Sequence, residues 1–584
     1  MDAQLLYFSW VDYLVLVGLL CISIAVGIYY GCFGTKQNTT EQYLHGGKKM
    51  KPIPIALSLT ASHVSGITLL GIPAEVYLFG TQYMVFPITV VWITITILCV
   101  FLPVYYKLQL SSSFEYLKMR FGHGTRSLAS CLYILSTILY VPIVIYVPAL
   151  ALNQVTGISV HVISPLICAV CIFYTTLGGL KAVVISDTIQ FSITFLTMAT
   201  IFVIGTYLSG GFVSIWEKAE SRNRIEFFNM NLDPTVRETF WAIVIGMGVT
   251  FIGNLGINPS SIQRFLSLPT YRDAQMSVVI FGVGTIITKL VSSFIGLIMF
   301  ARYIDCDPLS NGSIKSIDQL LPFYMLDALG NLKGFPGLFV ASVLCTALST
   351  MSTSINTLAL TIYEDFLKSK LPKNTSQNTI NIVIKSIVVA TGIIGLMFIF
   401  LIEKLGGVLQ IGLSFHGLTL GPLVGLNVLG ALVGGICSLV LTGVLVVGAQ
   451  IYTLQGRMKP VPKSLSTSGC SFLNDTFVRT TTAIPEVDFN TPPGIFTLSH
   501  YFYSVVGMML VIVIGLFVSW LTKSKDEPAV HRELLSPCIY RFLSKDEKHS
   551  DFVLYETVEK ALIRVQSVKE EKSITEVLGN DIKS

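Results

Sequence analysis

Long apolar runs dominate the hydropathy pattern of this 584-residue chain. Many extend for twenty residues or more, which is the length an α-helix needs to cross a bilayer and is too long for a core strand. Such runs predict thirteen spans, at 10–31, 52–79, 83–106, 127–152, 158–177, 181–208, 239–258, 276–302, 335–363, 380–402, 408–427, 430–452 and 499–521. The pattern therefore predicts an all-α polytopic membrane protein, with a membrane domain at 1–521 and a tail at 522–584.

The composition agrees with this fold class. Apolar residues make up 52% of the chain and charged residues only 12%, whereas soluble domains carry about 25% charged residues. A net charge of +5, dispersed along the chain, does not indicate a nucleic-acid partner, and nothing points to an obligate protein partner. The sequence contains no phosphate-binding P-loop and no metal-spaced histidine motif, so an ATP-driven pump and an enzyme are both disfavoured.

Basic residues predict the orientation of the spans, because cytoplasmic loops are enriched in lysine and arginine. The loops assigned to the inside on this ground contain Lys36, Lys48, Lys49, Lys51, Lys107, Lys118, Arg120, Arg126, Arg264 and Arg272. We therefore expect a plasma-membrane protein with its N-terminus outside and its tail in the cytoplasm. The long loops at 209–238, 303–334 and 453–498 then lie outside.

Cysteine positions fit this topology. Of the eleven cysteines, only Cys306 and Cys470 fall in the predicted outside loops, where the environment is oxidising. A disulfide between them is a hypothesis, because sequence alone does not show that the two residues approach each other. The same loops carry two N-glycosylation sequons, at Asn311 and Asn474, which we expect to be glycosylated.

The second span has a small polar patch at its middle, at 61–66, with the sequence ASHVSG. Transporter sites often lie where a membrane helix is interrupted, because the freed backbone groups need a partner and an ion can supply it. We therefore interpret the patch as a helix break, although small residues also allow close helix packing.

The ninth span is rich in hydroxyl groups. Thr346, Ser349 and Thr350 have the spacing that places three side chains on one face of a helix. Hydroxyl and carbonyl oxygens are hard ligands of the kind that small cations prefer, so this face is a candidate Na⁺ site. The alternative is that each hydroxyl bonds a carbonyl of its own helix, as membrane helices commonly show.

Two charged residues lie well inside spans, where charges are costly and therefore candidates for function. Asp187, in the sixth span, could steer a cation or latch a gate, or could form a structural pair with a neighbouring helix. Lys289 lies near the centre of the eighth span. It could face an anionic substrate or pair with a buried carboxylate or carbonyl.

These segments resemble the sodium/solute symporter family, closest to its sodium-coupled monocarboxylate transporter branch. The residues that carry the resemblance are 57–62 (LSLTAS), 73–77 (PAEVY), 148–157 (PALALNQVTG), 176–183 (TLGGLKAV), 305–308 (DCDP), 348–350 (LST) and 354–356 (SIN). The resemblance extends over about residues 10–520. It implies a LeuT-type core of two inverted five-helix repeats, at 52–208 and 239–427.

The resemblance also implies roles for individual residues. Na⁺ would bind to the carbonyls of Ala61 and Val64 and to the side chains of Thr346, Ser349 and Thr350. Asp187 matches an acidic position associated with cation passage. Residues matching cavity-lining positions of relatives are Thr68, Ile72, Phe86, Phe251, Lys289, Gln410 and Leu413.

Three features depart from the family pattern. Lys289 replaces an apolar residue, and we hypothesise that it pairs with a substrate carboxylate. Pro259 follows Asn258 where the family has a glutamine, and the connection at 425–435 is about ten residues shorter than in relatives. The resulting expectation is Na⁺-coupled symport of a small organic monocarboxylate such as lactate, pyruvate or a short-chain fatty acid. The alternatives are a vitamin (biotin or pantothenate) or inorganic-anion transporter, and a non-transporting sensor or Na⁺ leak protein.

Overall fold

The computed structural model describes residues 8–29, 48, 50–110, 113–372, 375–403, 407–458, 461–470, 494–522 and 532–540. Within these ranges the regular structure is entirely helical. The all-α class predicted from the apolar runs is therefore confirmed.

Seventeen helices of the described residues are labelled here in chain order. They are α1 Trp10–Ile28, α2 Pro52–His63, α3 Ile67–Phe79, α4 Thr81–Leu108, α5 Glu115–Phe121, α6 His123–Thr156, α7 Val160–Leu208, α8 Gly211–Ser221, α9 Ala242–Ile257, α10 Pro259–Leu266, α11 Tyr271–Arg302, α12 Leu320–Leu329, α13 Phe335–Leu367, α14 Gln377–Ile402, α15 Val408–Leu429, α16 Leu432–Leu454 and α17 His500–Thr522. Two short 3₁₀ turns follow, at Arg532–Leu534 and Pro537–Ile539.

Membrane-capable helices make up most of the described chain. Nine are long and apolar enough to cross a membrane, and the bent pairs α2/α3 and α9/α10 raise this number to eleven. Two shorter apolar helical stretches, Trp10–Ile22 and Val160–Phe173, come in addition. The polytopic architecture is thus confirmed, while the count of thirteen spans stays a prediction.

Helix α7 contains 49 residues and would be about 74 Å long if it were straight, more than twice the thickness of the hydrocarbon core. Its contacts with α13 show that it turns back. The Cys171 thiol contacts the Leu348 carbonyl at 3.9 Å, and the Thr194 hydroxyl donates to the Ser342 carbonyl at 3.3 Å. These partners are six residues apart on α13, about 9 Å, whereas 23 residues of straight helix would span about 35 Å. The two halves of α7 therefore act as two antiparallel spans, as the sequence predicts.

Helix α13 is the central element. In its most apolar stretch 89% of residues are buried, compared with 17% in α17. Small residues allow this close packing: a Cβ on Gly337 would lie 2.3 Å from the Asp12 carbonyl oxygen of α1. The backbone N–H of Gly337 also donates to the Asp12 carboxylate at 3.0 Å, which ties α1 to the beginning of α13.

A disulfide marks one side of the bundle. Cys306 and Cys470 are bonded, with Cα atoms 4.9 Å apart, and we call the side on which they lie the disulfide face. Exposed Asn311 is on this face, close to Cys306, whereas Asn474 lies outside the described residues. The described part of the tail lies on the opposite face, where the Leu534 carbonyl accepts a hydrogen bond from the Tyr116 hydroxyl at 3.1 Å.

The shortened connection at 425–435 is a tight turn between two full-length helices. Helix α15 ends at Leu429 and α16 begins at Leu432. Gly430 has φ +70°, in the left-handed region, and a Cβ there would lie 2.1 Å from the Phe121 ring. Only glycine fits both the conformation and the space, and this is how so short a connection reverses the chain.

We expect Gly430→Ala to destabilise the protein by more than about 1–2 kcal/mol, because it adds a left-handed alanine and a steric clash. The melting temperature in detergent is the measurement. Gly443→Ala, in the middle of α16, is the control: its new Cβ would have its nearest neighbour at 3.7 Å, an ordinary contact. If the two variants melt at the same temperature, the tight turn is not a structural requirement.

Candidate functional site

Two helices are broken inside the membrane domain. Helix α2 ends at His63 and α3 begins at Ile67, with a bend of 62° between them. Helix α9 ends at Ile257 and α10 begins at Pro259, with a bend of 48°. The break predicted at 61–66 is confirmed. The second break lies at the beginning of the second predicted repeat, the position that corresponds to the first.

The first break brings α2 close to α13. The last carbonyls of a helix have no donor within that helix, so those of Ala61 and Ser62 become available at the end of α2. The Thr350 hydroxyl lies 3.4 Å from the Ser62 carbonyl oxygen. Gly66 allows the close packing here, because a Cβ at this position would lie 2.5 Å from a Val147 methyl group.

The three predicted hydroxyl ligands on α13 behave differently. Thr346 donates to the Val343 carbonyl at 2.8 Å, and Thr350 donates to the Thr346 carbonyl at 2.9 Å, as the alternative interpretation requires. The Ser349 hydroxyl is fully buried and makes no hydrogen bond of ordinary geometry, although Asp187 is nearby. Ser349 is thus a buried hydroxyl next to Thr350, whose own hydroxyl approaches a carbonyl of the broken helix, and oxygens of these kinds are ligands for a small hard cation.

Asp187 pairs with a residue that the sequence placed in a loop. The Arg264 guanidinium, on α10 just after the second break, lies 3.1 Å from the Asp187 carboxylate, and both side chains are only 1% exposed. Arg264 also donates to the hydroxyls of Ser62 at 2.9 Å and Thr353 at 2.8 Å. The Ser58 hydroxyl donates to Asp187 at 2.7 Å. This network holds α2 and α10, one half of each broken span, against α7 and α13.

Pro259 is accommodated without the loss of a hydrogen bond. It is the first residue of α10, where a backbone N–H would have no partner within the helix. Asn258 caps the helix, its side-chain oxygen accepting from the Ser260 N–H at 2.9 Å. The loss of a backbone donor, expected from the sequence to be damaging, therefore has no cost at this position.

A cavity of about 130 Å³ lies between the two breaks. It extends from Thr68 and Ile72 towards Asn258 and Ser260, that is, from the middle of the membrane towards the opposite face. Five of the seven predicted substrate residues line it: Thr68, Ile72, Phe251, Lys289 and Leu413. Ser65 of the polar patch at 61–66 also lines it, as do polar residues that the sequence did not single out, including Tyr133, Ser136, Thr137, Tyr140 and Asn254.

The other two predicted substrate residues lie elsewhere. Phe86 is behind Lys289, with its ring centre 4.1 Å from the ammonium nitrogen, and does not line the cavity. Gln410 points to the disulfide face, where its side-chain oxygen accepts from Arg237 at 3.2 Å. A role for Phe86 and Gln410 in substrate binding stays a prediction.

The Lys289 ammonium is held by aromatic side chains. It donates to the Tyr83 hydroxyl at 3.0 Å and lies 4.9 Å from the centre of the Phe251 ring, in addition to its contact with Phe86. Among the described residues it forms no ion pair. An ammonium group has three donors, and only one is used here.

An ion pair closes the cavity on the disulfide face. Arg237 binds both oxygens of the Glu75 carboxylate, at 2.7 and 3.0 Å, and its guanidinium lies over the Phe79 ring. Neither Glu75 nor Arg237 lines the cavity. The resemblance segment 73–77 contained Glu75, but its partner is 162 residues away in sequence, and no local pattern could have indicated it.

We expect Arg264→Met to lower the free energy of unfolding by about 3–5 kcal/mol, because it leaves the Asp187 charge buried without its partner. The double variant Asp187→Asn/Arg264→Met should recover much of this loss, since both charges are then removed. Thermal unfolding in detergent measures both, with Arg302→Met, from the exposed pair with Asp327, as a control with little effect. Equal destabilisation by the single and double variants would contradict a charge-based role.

Two solved structures share the fold. A Na⁺-coupled sialic acid symporter in a substrate-bound outward-open state matches with a TM-score of 0.69 and 23% identity, over 88% of this chain and 98% of that chain. Mhp1, a nucleobase-cation-symport-1 family transporter, in a closed conformation, matches with a TM-score of 0.51 and 11% identity, over 84% of this chain and 97% of that chain. The arrangement of helices expected from the resemblance is therefore that of two known transporters, one of them a Na⁺-coupled symporter.

Sequence relatives extend over almost the whole chain. Human sodium-coupled monocarboxylate transporter 1 is 38% identical over 546 residues, which is 90% of this chain and 89% of that protein. Bovine sodium-coupled monocarboxylate transporter 2 is 37% identical over 92% of this chain and 88% of its own length. A putative sodium-dependent multivitamin transporter of Drosophila melanogaster is 34% identical over 88% and 86%. The family model for the sodium:solute symporter family matches residues 43–447, and the chain belongs to this family.

Proposed function

We propose that this chain is a Na⁺-driven symporter of small organic monocarboxylates such as lactate, pyruvate or short-chain fatty acids. Family membership and the relatives named as sodium-coupled monocarboxylate transporters support the Na⁺ coupling and the class of solute. The observation that carries the proposal in this chain itself is Lys289, a cavity-lining ammonium group that forms no ion pair with any described residue.

Lys289 can stabilise a substrate carboxylate inside the membrane domain. Burial of an unpaired carboxylate in the bilayer is costly, and a charge-assisted hydrogen bond to an ammonium group offsets that cost. The rings of Phe86 and Phe251 hold the Lys289 head group in place while two of its donors remain for a ligand. The cavity of about 130 Å³ is smaller than the roughly 300–1,000 Å³ of pockets for drug-sized ligands, which favours a small acid over biotin.

Na⁺ binds, on this proposal, between the broken span and α13. The ligands are the carbonyls of Ala61 and Val64 and the hydroxyl groups of Thr346, Ser349 and Thr350. Because this set is neutral, an ion can be held and later released without separation of a tight ion pair. Inward movement of one Na⁺ across about 100 mV releases about 2.3 kcal/mol, but a monocarboxylate anion that moves with it requires the same amount, so with one Na⁺ per anion the Na⁺ concentration gradient alone drives accumulation. Each additional Na⁺ adds about 2.3 kcal/mol, which corresponds to roughly 50-fold accumulation.

Orientation follows from the same proposal. The disulfide face, with Asn311, is outside, and the tail is in the cytoplasm of a plasma-membrane protein. The cavity extends towards the cytoplasmic face, while Glu75 and Arg237 close the outer side. On this proposal the structure is a state of the alternating-access cycle in which the outer side is closed, with Asp187 and Arg264 at the inner end of the ion path.

The sensor or leak alternative loses its sequence-based support. It was motivated by Pro259 and by the short connection at 425–435. Pro259 occupies a helix position that tolerates it, and Gly430 makes the connection between two complete helices. Neither feature therefore argues against transport.

We expect Na⁺-dependent uptake of labelled pyruvate in cells expressing this chain, absent when choline replaces Na⁺. Ser349→Ala/Thr350→Ala should remove this uptake or raise the Na⁺ concentration for half-maximal uptake at least tenfold, because two ion ligands are lost. Ser342→Ala is the matched control, since this buried serine is on the same helix but bonds the Phe339 carbonyl. Sodium activation equal to wild type in the double variant would rule out this ion site.

We expect Lys289→Met to raise the KM for pyruvate about tenfold or more, because a hydrogen bond to a charged group contributes about 1.5–3 kcal/mol. Lys385→Met is the control, because this exposed lysine of α14 has the same charge but lies away from the cavity. Surface expression is measured for each variant. An unchanged KM in Lys289→Met, with normal expression, would mean that the ammonium group does not bind the substrate.

A further inference from the structure

A buried cluster on the disulfide face contains two carboxylates and one guanidinium. Arg237 uses two of its nitrogens on Glu75, leaving its third towards Gln410. The neighbouring residue Glu238 is 8% exposed and Glu75 is 5% exposed. The two carboxyl groups are neighbours, since Glu75 binds Arg237 and Glu238 is the next residue in sequence.

Glu238 is incompletely satisfied. One of its oxygens accepts from the Tyr501 hydroxyl at 3.1 Å, whereas the other makes no hydrogen bond. Glu238 lies in the loop before α9, and its carboxyl group faces Glu75. This loop contacts α3 through the Arg237–Glu75 ion pair and α17 through the hydrogen bond between Glu238 and Tyr501. Two buried carboxylates beside a single guanidinium would leave one negative charge uncompensated, which is unfavourable in a medium of low dielectric constant.

Other ionisable groups surround the pair but do not neutralise it. Tyr83 and Tyr501 face both carboxylates, and Asp318 adds further negative charge near Glu75. His500 is buried near Arg237. Among the described residues Arg237 is the one cation that pairs with either carboxylate.

We infer that Glu75 and Glu238 form a proton-binding site that takes up one proton when the disulfide face closes and releases it when that face opens. The proton occupies Glu238 and is donated to Glu75, so that the closed cluster holds one carboxylate, one guanidinium and one neutral acid. Burial and the adjacent Glu75 charge raise the pKa of Glu238 well above its usual value, in the direction this arrangement requires.

Proton binding to Glu238 and closure of the disulfide face are linked, and the sign of this linkage follows from the two pKa values of Glu238. In the open state water reaches Glu238, whose pKa returns towards about 4.3, the ordinary value for glutamate. Between that value and the raised pKa of the closed state, closure binds one proton. Acid on the disulfide side therefore favours closure, and this effect is lost as pH rises through the raised pKa. For one proton the equilibrium changes by at most tenfold per pH unit.

External pH should therefore act on Na⁺ activation. Because external Na⁺ must enter through the open disulfide face, the Na⁺ concentration for half-maximal uptake should rise as external pH falls from 8 to 5.5. We expect an increase of up to about tenfold per pH unit. The proton site is measured through the proposed function, but the two are tested separately. Na⁺-driven uptake at pH 7.5 tests the proposed function, and the pH dependence of Na⁺ activation tests the proton site.

The experiment measures pyruvate uptake against external Na⁺ at several external pH values, with internal pH held constant and choline backgrounds subtracted. Glu238→Gln cannot ionise and should make Na⁺ activation independent of pH, fixed near the acidic wild-type value. Glu226→Gln, from an ion pair with Lys463 on the same face, is the control and should keep the wild-type dependence.

A second variant covers the case in which Glu238→Gln does not reach the surface. Tyr501→Phe removes the hydroxyl that stabilises ionised Glu238, so the pH midpoint should move upward while the slope remains. A wild-type curve that is flat between pH 5.5 and 8 would overturn the inference. So would an unchanged slope in Glu238→Gln, which would indicate Asp318 instead, since burial raises the pKa of that carboxyl group to about 7.

Discussion

The structure depends on one constraint: inside a bilayer, every backbone polar group needs a partner from the protein or from a bound ligand. Two spans break this rule locally, at 64–66 and at Asn258, and both breaks adjoin the single cavity described above. Protein groups satisfy part of each break, with Thr350 at the first and the Asn258 side chain at the second. What is left at the first break is a set of backbone oxygens near Thr350, and the proposed Na⁺ site uses these together with Ser349.

Buried charged side chains need partners for the same reason as buried backbone groups. The buried charges of Asp187 on α7 and Arg264 on α10 pair with each other. This pairing allows both charges to be tolerated inside the membrane domain. Lys289 and Glu238 are not balanced in this way. Among the described residues the Lys289 ammonium group donates one hydrogen bond, and one oxygen of Glu238 accepts none. The proposed anionic solute would supply the missing partner of Lys289, and the inferred proton would supply that of Glu238.

The amino-acid pattern predicted the elements better than their contacts. Apolar run length located the membrane helices, the polar patch located the first break, and hydroxyl spacing located one face of α13. The contacts between Arg264 and Asp187, and between Arg237 and Glu75, join residues 77 and 162 positions apart, so no periodicity within one helix could reveal them. The side-chain position of Gln410 could not be predicted for the same reason. Its helix was correctly predicted, but its partner Arg237 lies in a distant loop and draws the side chain away from the cavity.

The positions of these groups along the membrane normal suggest how the cycle is ordered. Glu75 and Glu238 lie at the disulfide face, Lys289 near the middle, and Arg264 on the side towards the opposite face. The first of these clusters connects to α3, the half of one broken span nearer the disulfide face, and the last connects to α10, the half of the other broken span nearer the opposite face. Opening either face must therefore separate a buried ion pair, at a cost that a bound ligand has to offset. Na⁺ and solute bound between the two clusters, as proposed, would act on both broken spans at once, and this would couple their binding to the choice of open face.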